Sequence, residues 1–183
     1  MGNNYIKKYL DKFSKIINTY NEKDFLKTIK ILKKIKQDKK KVILVGNGGS
    51  AALASHLSVD LTTLCNIRSV NFNDADLITC FSNDYGYENW VKKALSFYAD
   101  EGDLLICVSS SGESKNIINA ARYGRDIGCK VITLTGFDTK NKVKKIGHVN
   151  FWINSKNYNL IEMTHHIWLL SIVDAIARKS FST

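Results

Sequence analysis

The chain has 183 residues and a formal net charge of +10, a length that is enough for one ordinary domain with a buried core. Hydrophobic residues make up 44% and charged residues 24% of the sequence, and this balance excludes an intrinsically disordered chain. No apolar run approaches the ~20 residues of a membrane helix, and the polar start does not resemble a secretory signal. We therefore expect a cytoplasmic protein without a membrane partner, built as a single domain over residues 1–183.

Neither the cysteines nor the lysines indicate a special site. The four cysteines are widely spaced and include no CxxC pair, which favours free thiols in a reducing compartment over metal binding. The lysines are concentrated in 27–41, on a helix face, and in 140–145, a predicted connector, without interleaved aromatic residues or a nucleic-acid motif. We expect a solvated basic surface that attracts anionic substrates but no nucleic acid.

The first 38 residues predict two helices. Ile6, Leu10 and Phe13 recur at helical spacing, and Asn21 suits the N-cap of a second helix that also carries its apolar residues on one face. This segment has no sheet of its own to cover. We therefore expect it to pack on the body that follows or to form an oligomer interface.

From residue 39 onward the pattern changes to alternating strands and helices. Short β-branched or apolar runs predict strands at 42–45, 104–108, 131–134 and, more weakly, 149–153. Helical stretches are predicted at 50–65, 88–98, 114–127 and 159–178. This alternation is typical of a parallel sheet covered by helices on both faces, so residues 39–183 are expected to form an α/β body.

Two turns that directly follow predicted strands are suited to binding an anion. The first is Gly46-Asn47-Gly48-Gly49-Ser50, and the second is Ser109-Ser110-Ser111-Gly112-Glu113-Ser114. Each turn opens a helix, whose free backbone amides and positive dipole end attract a phosphate. The first turn is not a dinucleotide fingerprint, because Ala51 stands where a glycine is needed, and it is not a P-loop. Together the two turns predict a phosphorylated ligand.

These two turns, together with Asn83-Asp84-Tyr85-Gly86 and Leu134-Thr135-Gly136, resemble the sugar isomerase (SIS) domain family over nearly the whole chain. Within that family they most resemble the phosphoheptose isomerases, which interconvert sedoheptulose 7-phosphate and D-glycero-D-manno-heptose 7-phosphate through an enediol. The resemblance implies a five-stranded parallel sheet in a flavodoxin-like three-layer α/β fold, with two N-terminal helices. It also implies a homotetramer with its sites at subunit boundaries.

The resemblance also implies roles for the residues of the turns. Gly48, Gly49 and Ser110 belong to the two ligand-binding turns. The side chains expected to contact a phosphorylated sugar are Ser109, Ser111 and Ser114 at the phosphate, Asn47 and Ser50 at the sugar, and Asp84 at the far side of the pocket.

The metal site of the family is matched only in part. The resemblance implies a zinc ion held by a His and a Glu four residues apart, and by a Gln and a His eight residues apart. The first pair matches His56 and Asp60, a shorter carboxylate, whereas the second matches Glu162 and Leu170, so the last histidine is lost. His166 lies one turn after Glu162 on the same helix face and offers a replacement. The expected zinc ligands are therefore His56, Asp60, Glu162 and His166.

The same residues supply the candidates for proton transfer. Aldose–ketose isomerisation moves a proton between adjacent carbons and needs a base, together with an acid or a metal that polarises the carbonyl. Asp60 or Glu162 is the expected base, and His166 or His165 is the expected acid or ligand. The lost histidine leaves one alternative open, a non-catalytic SIS module that binds a phosphosugar or a protein partner, like the replication-initiator-associated SIS proteins. Retention of His56 and of two carboxylates favours the isomerase.

Overall fold

The computed structural model describes residues 2–177, with side chains from residue 4 onward. The helices are α1 (Gly2–Ile17), α2 (Glu22–Gln37), α3 (Gly49–Thr63), α4 (Ala75–Tyr85), α5 (Trp90–Tyr98), α6 (Lys115–Asp126), α7 (Lys142–Ile146) and α8 (Tyr158–Ala177). The strands are β1 (Val42–Val45), β2 (Ser69–Asn71), β3 (Leu104–Ser109), β4 (Lys130–Thr135) and β5 (Val149–Trp152).

The five strands form one parallel sheet in the order β2-β1-β3-β4-β5. This is the flavodoxin-like, doubly wound order, in which the chain leaves the sheet in opposite directions from β1 and from β3. A crevice opens at the carboxyl ends of these two neighbouring strands, and ligands of such sheets bind there. The predicted fold class is therefore confirmed.

Two hydrophobic cores lie on the two faces of the sheet. Along β3, Leu104, Ile106 and Val108 point into the core formed with α1, α2, α3 and α8, whereas Leu105 and Cys107 point into the core formed with α4, α5, α6 and α7. Every residue of β3 is buried, and each large apolar side chain contributes about 1.5–3 kcal/mol to stability. Burial on both faces explains why the strand reads as a continuous apolar run.

The two N-terminal helices pack against α8 and also leave an apolar surface exposed. The Trp168 indole donates a hydrogen bond of 2.9 Å to the Ile17 carbonyl, and the Phe25 ring meets the Trp168 ring edge-on at 5.9 Å. Elsewhere on α1, Tyr5 and Leu10 are more than half exposed. The two helices therefore pack on the α/β body, and the exposed apolar side chains of α1 remain available for an oligomer interface.

Three elements differ from the sequence-based expectations. Strand β2 has three residues at the sheet edge and α4 has no buried residue, so neither carries a periodic apolar signal. The stretch 140–145 was predicted to be a connector, and this prediction is wrong because it contains most of α7. Asn141 caps this helix by accepting a 2.9 Å hydrogen bond from the Lys144 amide, and Val143 anchors it in the core.

Helix α8 is long and apolar enough to cross a membrane by length and composition alone. Eight of its 20 residues are buried within the protein. Its contacts with α1, α2 and α3 place these residues in the core, and this packing accounts for the apolar composition. The predicted end of this helix at residue 178 lies outside the described residues.

Candidate functional site

A cavity of about 100 Å³ opens at the carboxyl ends of β1 and β3. Its walls come from the β1–α3 turn, the β3–α6 turn and the first turn of α8. The residues that line it are Asn47, Ser50, Val108, Ser109, Ser110, Ser111, Ser114, Tyr158 and Glu162. We call it the serine-lined cavity. The structure thus brings together the side chains of both turns that the sequence predicted to bind a phosphorylated ligand.

The β3–α6 turn presents its hydroxyls to the cavity because of one glycine. Gly112 has φ +67°, and a Cβ atom at this position would overlap the Asn141 side chain. The Ser111 hydroxyl accepts a hydrogen bond of 3.2 Å from the Glu113 amide, which stabilises the turn. Ser114 is the N-cap of α6, yet within the described chain its side chain accepts no amide hydrogen bond of that helix. The hydroxyl and the first amides of α6 are therefore placed to receive a phosphate.

The β1–α3 turn is tied to α6 by a pair of amide side chains. Asn47 donates to Asn116 Oδ1 at 3.0 Å, and Asn116 donates back to Asn47 Oδ1 at 2.8 Å. The Tyr87 hydroxyl donates to the same Asn47 oxygen at 3.2 Å. Sequence analysis missed Asn116 and Tyr87, as well as Tyr158 at the cavity wall. The one available signal was Asn116, an amide at a buried position of an amphipathic helix, two residues after the serine run.

Glu162 is the carboxylate that lines the serine-lined cavity. Its carboxylate packs directly against Gly49, the first residue of α3. A Cβ atom on Gly49 would overlap the carboxylate and come within 2.7 Å of its Cδ. Burial raises the pKa of Glu162, and the nearby Ser110 hydroxyl lowers it to a smaller extent. That hydroxyl is buried and has no hydrogen-bond partner of good geometry among the described residues. Glu162 therefore combines access to a ligand with a pKa closer to neutrality.

Further along the contact between α3 and α8 lies the histidine group, which consists of His56, Asp60 and His166. His56 Nδ1 is 2.8 Å from His166 Nε2, and His56 Nε2 is 3.4 Å from Asp60 Oδ2. Burial and the neighbouring His56 lower the pKa of His166, and Asp60 opposes this shift. None of the three residues lines the serine-lined cavity.

The four predicted zinc ligands do not fit a zinc ion in this arrangement. His56 directs one ring nitrogen to His166 and the other to Asp60, so a single ion cannot replace both contacts. Glu162 lines the serine-lined cavity and lies against Gly49, whereas the other three predicted ligands form the histidine group outside that cavity. Within residues 2–177 no group of three or more His, Cys, Asp or Glu side chains is placed to hold a metal ion. Zinc binding stays a prediction.

Two further predicted residues lie outside the cavity. His165 is fully buried, its Nε2 lies 3.2 Å from the Thr135 carbonyl, and burial lowers its pKa to about 4. His166, not His165, is therefore the histidine that faces His56. Asp84 lies near the end of α4, where it accepts a hydrogen bond of 3.0 Å from Asn83. Its role at the far side of the pocket stays a prediction.

The sequence matches one family along most of its length. The family model of the SIS domain matches residues 4–136. The phosphoheptose isomerase of Aliarcobacter butzleri is 34% identical over 180 residues, which cover 93% of this chain and 94% of that protein. The phosphoheptose isomerase of Sulfurimonas denitrificans is 31% identical over 188 residues, covering 97% of this chain and 96% of the relative.

Solved structures show the same fold. The phosphoheptose isomerase of Neisseria gonorrhoeae superposes with a TM-score of 0.89 at 22% identity, covering 96% of this chain and 98% of that one. A phosphoheptose isomerase from Francisella tularensis has a TM-score of 0.89 at 23% identity, and 98% and 100% of the two chains are covered. The family match and the relatives above 30% identity carry the assignment: this chain belongs to the SIS domain family and, within it, to the phosphoheptose isomerases.

Proposed function

We propose that this protein is an aldose–ketose isomerase that interconverts sedoheptulose 7-phosphate and D-glycero-D-manno-heptose 7-phosphate, or a closely related phosphosugar. The observation that carries the proposal is the position of the Glu162 carboxylate in the same cavity as the serine run after β3. One side of the cavity is suited to a phosphate and the other to proton transfer. The similarity to phosphoheptose isomerases over nearly the whole chain supports this substrate class.

The phosphate is held by the hydroxyls of Ser109, Ser111 and Ser114 and by the first amides of α6. None of the described residues that line the serine-lined cavity is a cation, so in this proposal hydroxyls and the helix dipole carry the binding of the anion. Asn47 and Ser50, on the opposite turn, hydrogen-bond the hydroxyls of the sugar. These contacts fix the substrate with its reacting end toward α8.

Glu162 then transfers the proton between the two reacting carbons. Starting from the ketose, its carboxylate removes a proton from C1 while the C2 carbonyl oxygen takes a proton from solvent water, which forms the enediol. The same carboxyl group returns the proton to C2 as the C1 oxygen gives its proton to solvent water and becomes the aldehyde oxygen. Burial, which raises the pKa of Glu162, suits a group that must both accept and return a proton near neutral pH.

The active form that we propose is a homotetramer in the cytoplasm. The serine-lined cavity of one chain holds about 100 Å³, whereas pockets for small ligands begin at about 300 Å³. A neighbouring subunit would complete its walls. The exposed apolar side chains of α1, among them Tyr5, Ile6 and Leu10, supply a surface suited to such contacts.

Proton exchange in deuterated water tests the proposal directly. The wild-type protein should exchange the C1 proton of sedoheptulose 7-phosphate for deuterium, and Glu162→Gln should slow this exchange about 10²- to 10⁴-fold. Glu22→Gln is the matched control, because Glu22 lies in the first turn of a helix far from the cavity. It should exchange at the wild-type rate.

Two outcomes would contradict the proposal. Equal exchange by the wild type and by Glu162→Gln would remove Glu162 from the reaction. A wild-type protein that binds the phosphosugar without any exchange would favour the non-catalytic SIS module, an alternative suggested by Leu170 at the position of the family histidine.

A further inference from the structure

A groove between α5 and α6 offers a second cavity that the proposed isomerase reaction does not use. Its larger part holds about 430 Å³, and its lining residues are Tyr85, Asn89, Lys92, Lys93, Ser96 and Tyr123. An adjoining part of about 280 Å³ shares Asn89, Lys92 and Tyr123, and adds Asn119, Arg122 and Asp126. We call both parts together the α5–α6 groove. It has no lining residue in common with the serine-lined cavity.

Aromatic rings hold the two lysines of the groove in place. The Lys93 ammonium lies 4.7 Å from the centre of the Tyr85 ring and 4.7 Å from that of Phe97. The Lys92 ammonium lies 5.8 Å from the centre of the Tyr123 ring. Cation–π contacts of this kind orient an ammonium group without neutralising its charge. The rings therefore restrict the positions of the two ammonium groups.

The positive charge of the groove is only partly balanced. Across residues 2–177, neither lysine nor Arg122 forms an ion pair with a carboxylate. Asp126 is the one carboxylate among the lining residues of the two parts. The net charge of +10 on the chain adds a long-range field of the same sign. An anion therefore gains from entering this groove.

Asparagine side chains form a fixed wall of the groove. Asn119 donates hydrogen bonds of 2.9 Å to the Glu88 carbonyl and 3.3 Å to Asn89 Oδ1, and Asn89 donates one of 3.1 Å to the Tyr85 carbonyl. These bonds attach the loop between α4 and α5 to α6. The groove is therefore shaped before a ligand arrives, and binding need not order this loop.

We propose that the α5–α6 groove binds a small polyanion that carries at least two phosphoryl groups. Lys93 lines the larger part, Arg122 lines the smaller part and Lys92 lines both, so the cations are spread along the groove. A ligand with a single anionic group reaches one end, whereas a ligand with two can contact both. The size of the larger part lies within the range of pockets for small ligands.

Inorganic pyrophosphate is the probe for the test, with inorganic phosphate for comparison. Isothermal titration of the full chain should show pyrophosphate binding that Lys92→Gln/Lys93→Gln weakens about tenfold or more, as expected for two charge-assisted contacts. Arg122→Gln should weaken pyrophosphate more than phosphate, because its contact requires the second anionic group. All three substitutions are on the surface, so folding should be retained and is checked by circular dichroism.

Two sets of controls decide whether binding is specific to the groove. Lys36→Gln/Lys39→Gln removes two charges from another basic pocket, at the end of α2, and should leave pyrophosphate binding unchanged. Ser111→Ala/Ser114→Ala removes phosphate contacts of the serine-lined cavity, and the pyrophosphate binding that persists in this variant should be the part that the groove substitutions weaken. Unaltered affinity in the groove variants would overturn the proposal. So would an equal loss in the Lys36 and Lys39 variant, or a loss found only in the serine variant.

Discussion

The serine-lined cavity and the histidine group are built in different ways, although α3 and α8 contribute to both. The cavity takes most of its lining from two strand-to-helix turns, in which neighbours along the chain are neighbours in space. The histidine group depends on the packing of two helices, because His56 and His166 are 110 residues apart in the chain. The cavity is thus largely a local product of the sequence, whereas the histidine group is a product of helix packing.

The packing of α8 on α3 separates Glu162 from the histidine group. Glu162 lies over Gly49 at the first residue of α3, whereas His166, one turn later on α8, meets His56 two turns further along α3. The carboxylate therefore faces the ligand cavity and the imidazoles do not.

The largest expected effect concerns His165, the sequence neighbour of His166 that points into the core. Its pKa is about 4 in the folded protein, against 6.5 ordinarily. As the pH falls below 6.5, His165 becomes protonated in the unfolded chain. In the folded chain it stays neutral until the pH reaches about 4. The free energy of unfolding should therefore decrease by about 3 kcal/mol between about pH 7 and pH 4 through this residue.

Urea unfolding at several pH values measures this effect. His165→Gln has no titrating group at this position, so its stability should decline less steeply over the same range. Parallel pH dependence in the variant and in the wild type would show that folding does not lower the pKa of His165.

A second prediction addresses the position of Glu162. In Gly49→Ala the new methyl group should displace the Glu162 carboxylate, and a shift of about 1 Å at a reacting group can slow a reaction about 100-fold. Stability should change by less than about 1 kcal/mol, because a side-chain end moves and alanine favours a helix. Proton exchange and urea unfolding measure the two effects, and wild-type exchange in the variant would show that Glu162 does not act from this position.

A third prediction addresses the phosphate side of the cavity. Ser111→Ala removes one hydrogen bond to a charged phosphate, a loss of about 1.5–3 kcal/mol. The KM for sedoheptulose 7-phosphate should rise about 10- to 100-fold, with a much smaller change in kcat. Ser171→Ala is the control, because Ser171 bonds to the Trp168 carbonyl within α8. An unchanged KM in Ser111→Ala would move the phosphate away from this turn.

The smallest expected effect concerns the histidine group. In His166→Gln the exchange rate should fall less than tenfold, below the usual range for loss of an acid–base group, because His166 does not line the cavity. Elemental analysis of protein purified without chelator should find substoichiometric zinc. One zinc ion per chain in the wild type, lost in His166→Gln together with activity, would contradict the separation of the two regions.

Most of the fold could be predicted from local sequence patterns. Strands β1 and β3 read as almost continuous apolar runs because both faces of the sheet are covered, and Asn21 marked the start of α2. Strand β2 and helix α4 could not be predicted, because the first has three residues and the second buries none. Helix α7 could not be predicted either, because three of its five residues are lysines and only Val143 is buried.

The residues of the candidate site also differ in how far they could be predicted from the sequence. The two turns that line the cavity were recognisable because their residues are contiguous and follow strands. Tyr87 and Tyr158 were not recognisable, since they reach the cavity or its turns only after the loop between α4 and α5 and helix α8 have packed against the two turns.

By itself, the sequence determined the parallel α/β architecture and the two turns suited to a phosphate, because both depend on residues close together in the chain. Only the tertiary structure decided that Glu162 and not Asp60 lines the cavity, and that His166 and not His165 faces His56. These outcomes depend on the rotation of α8 about its axis and on its position along α3. Helical spacing alone does not specify either quantity. It shows which residues share a helix face, but not which element packs against that face.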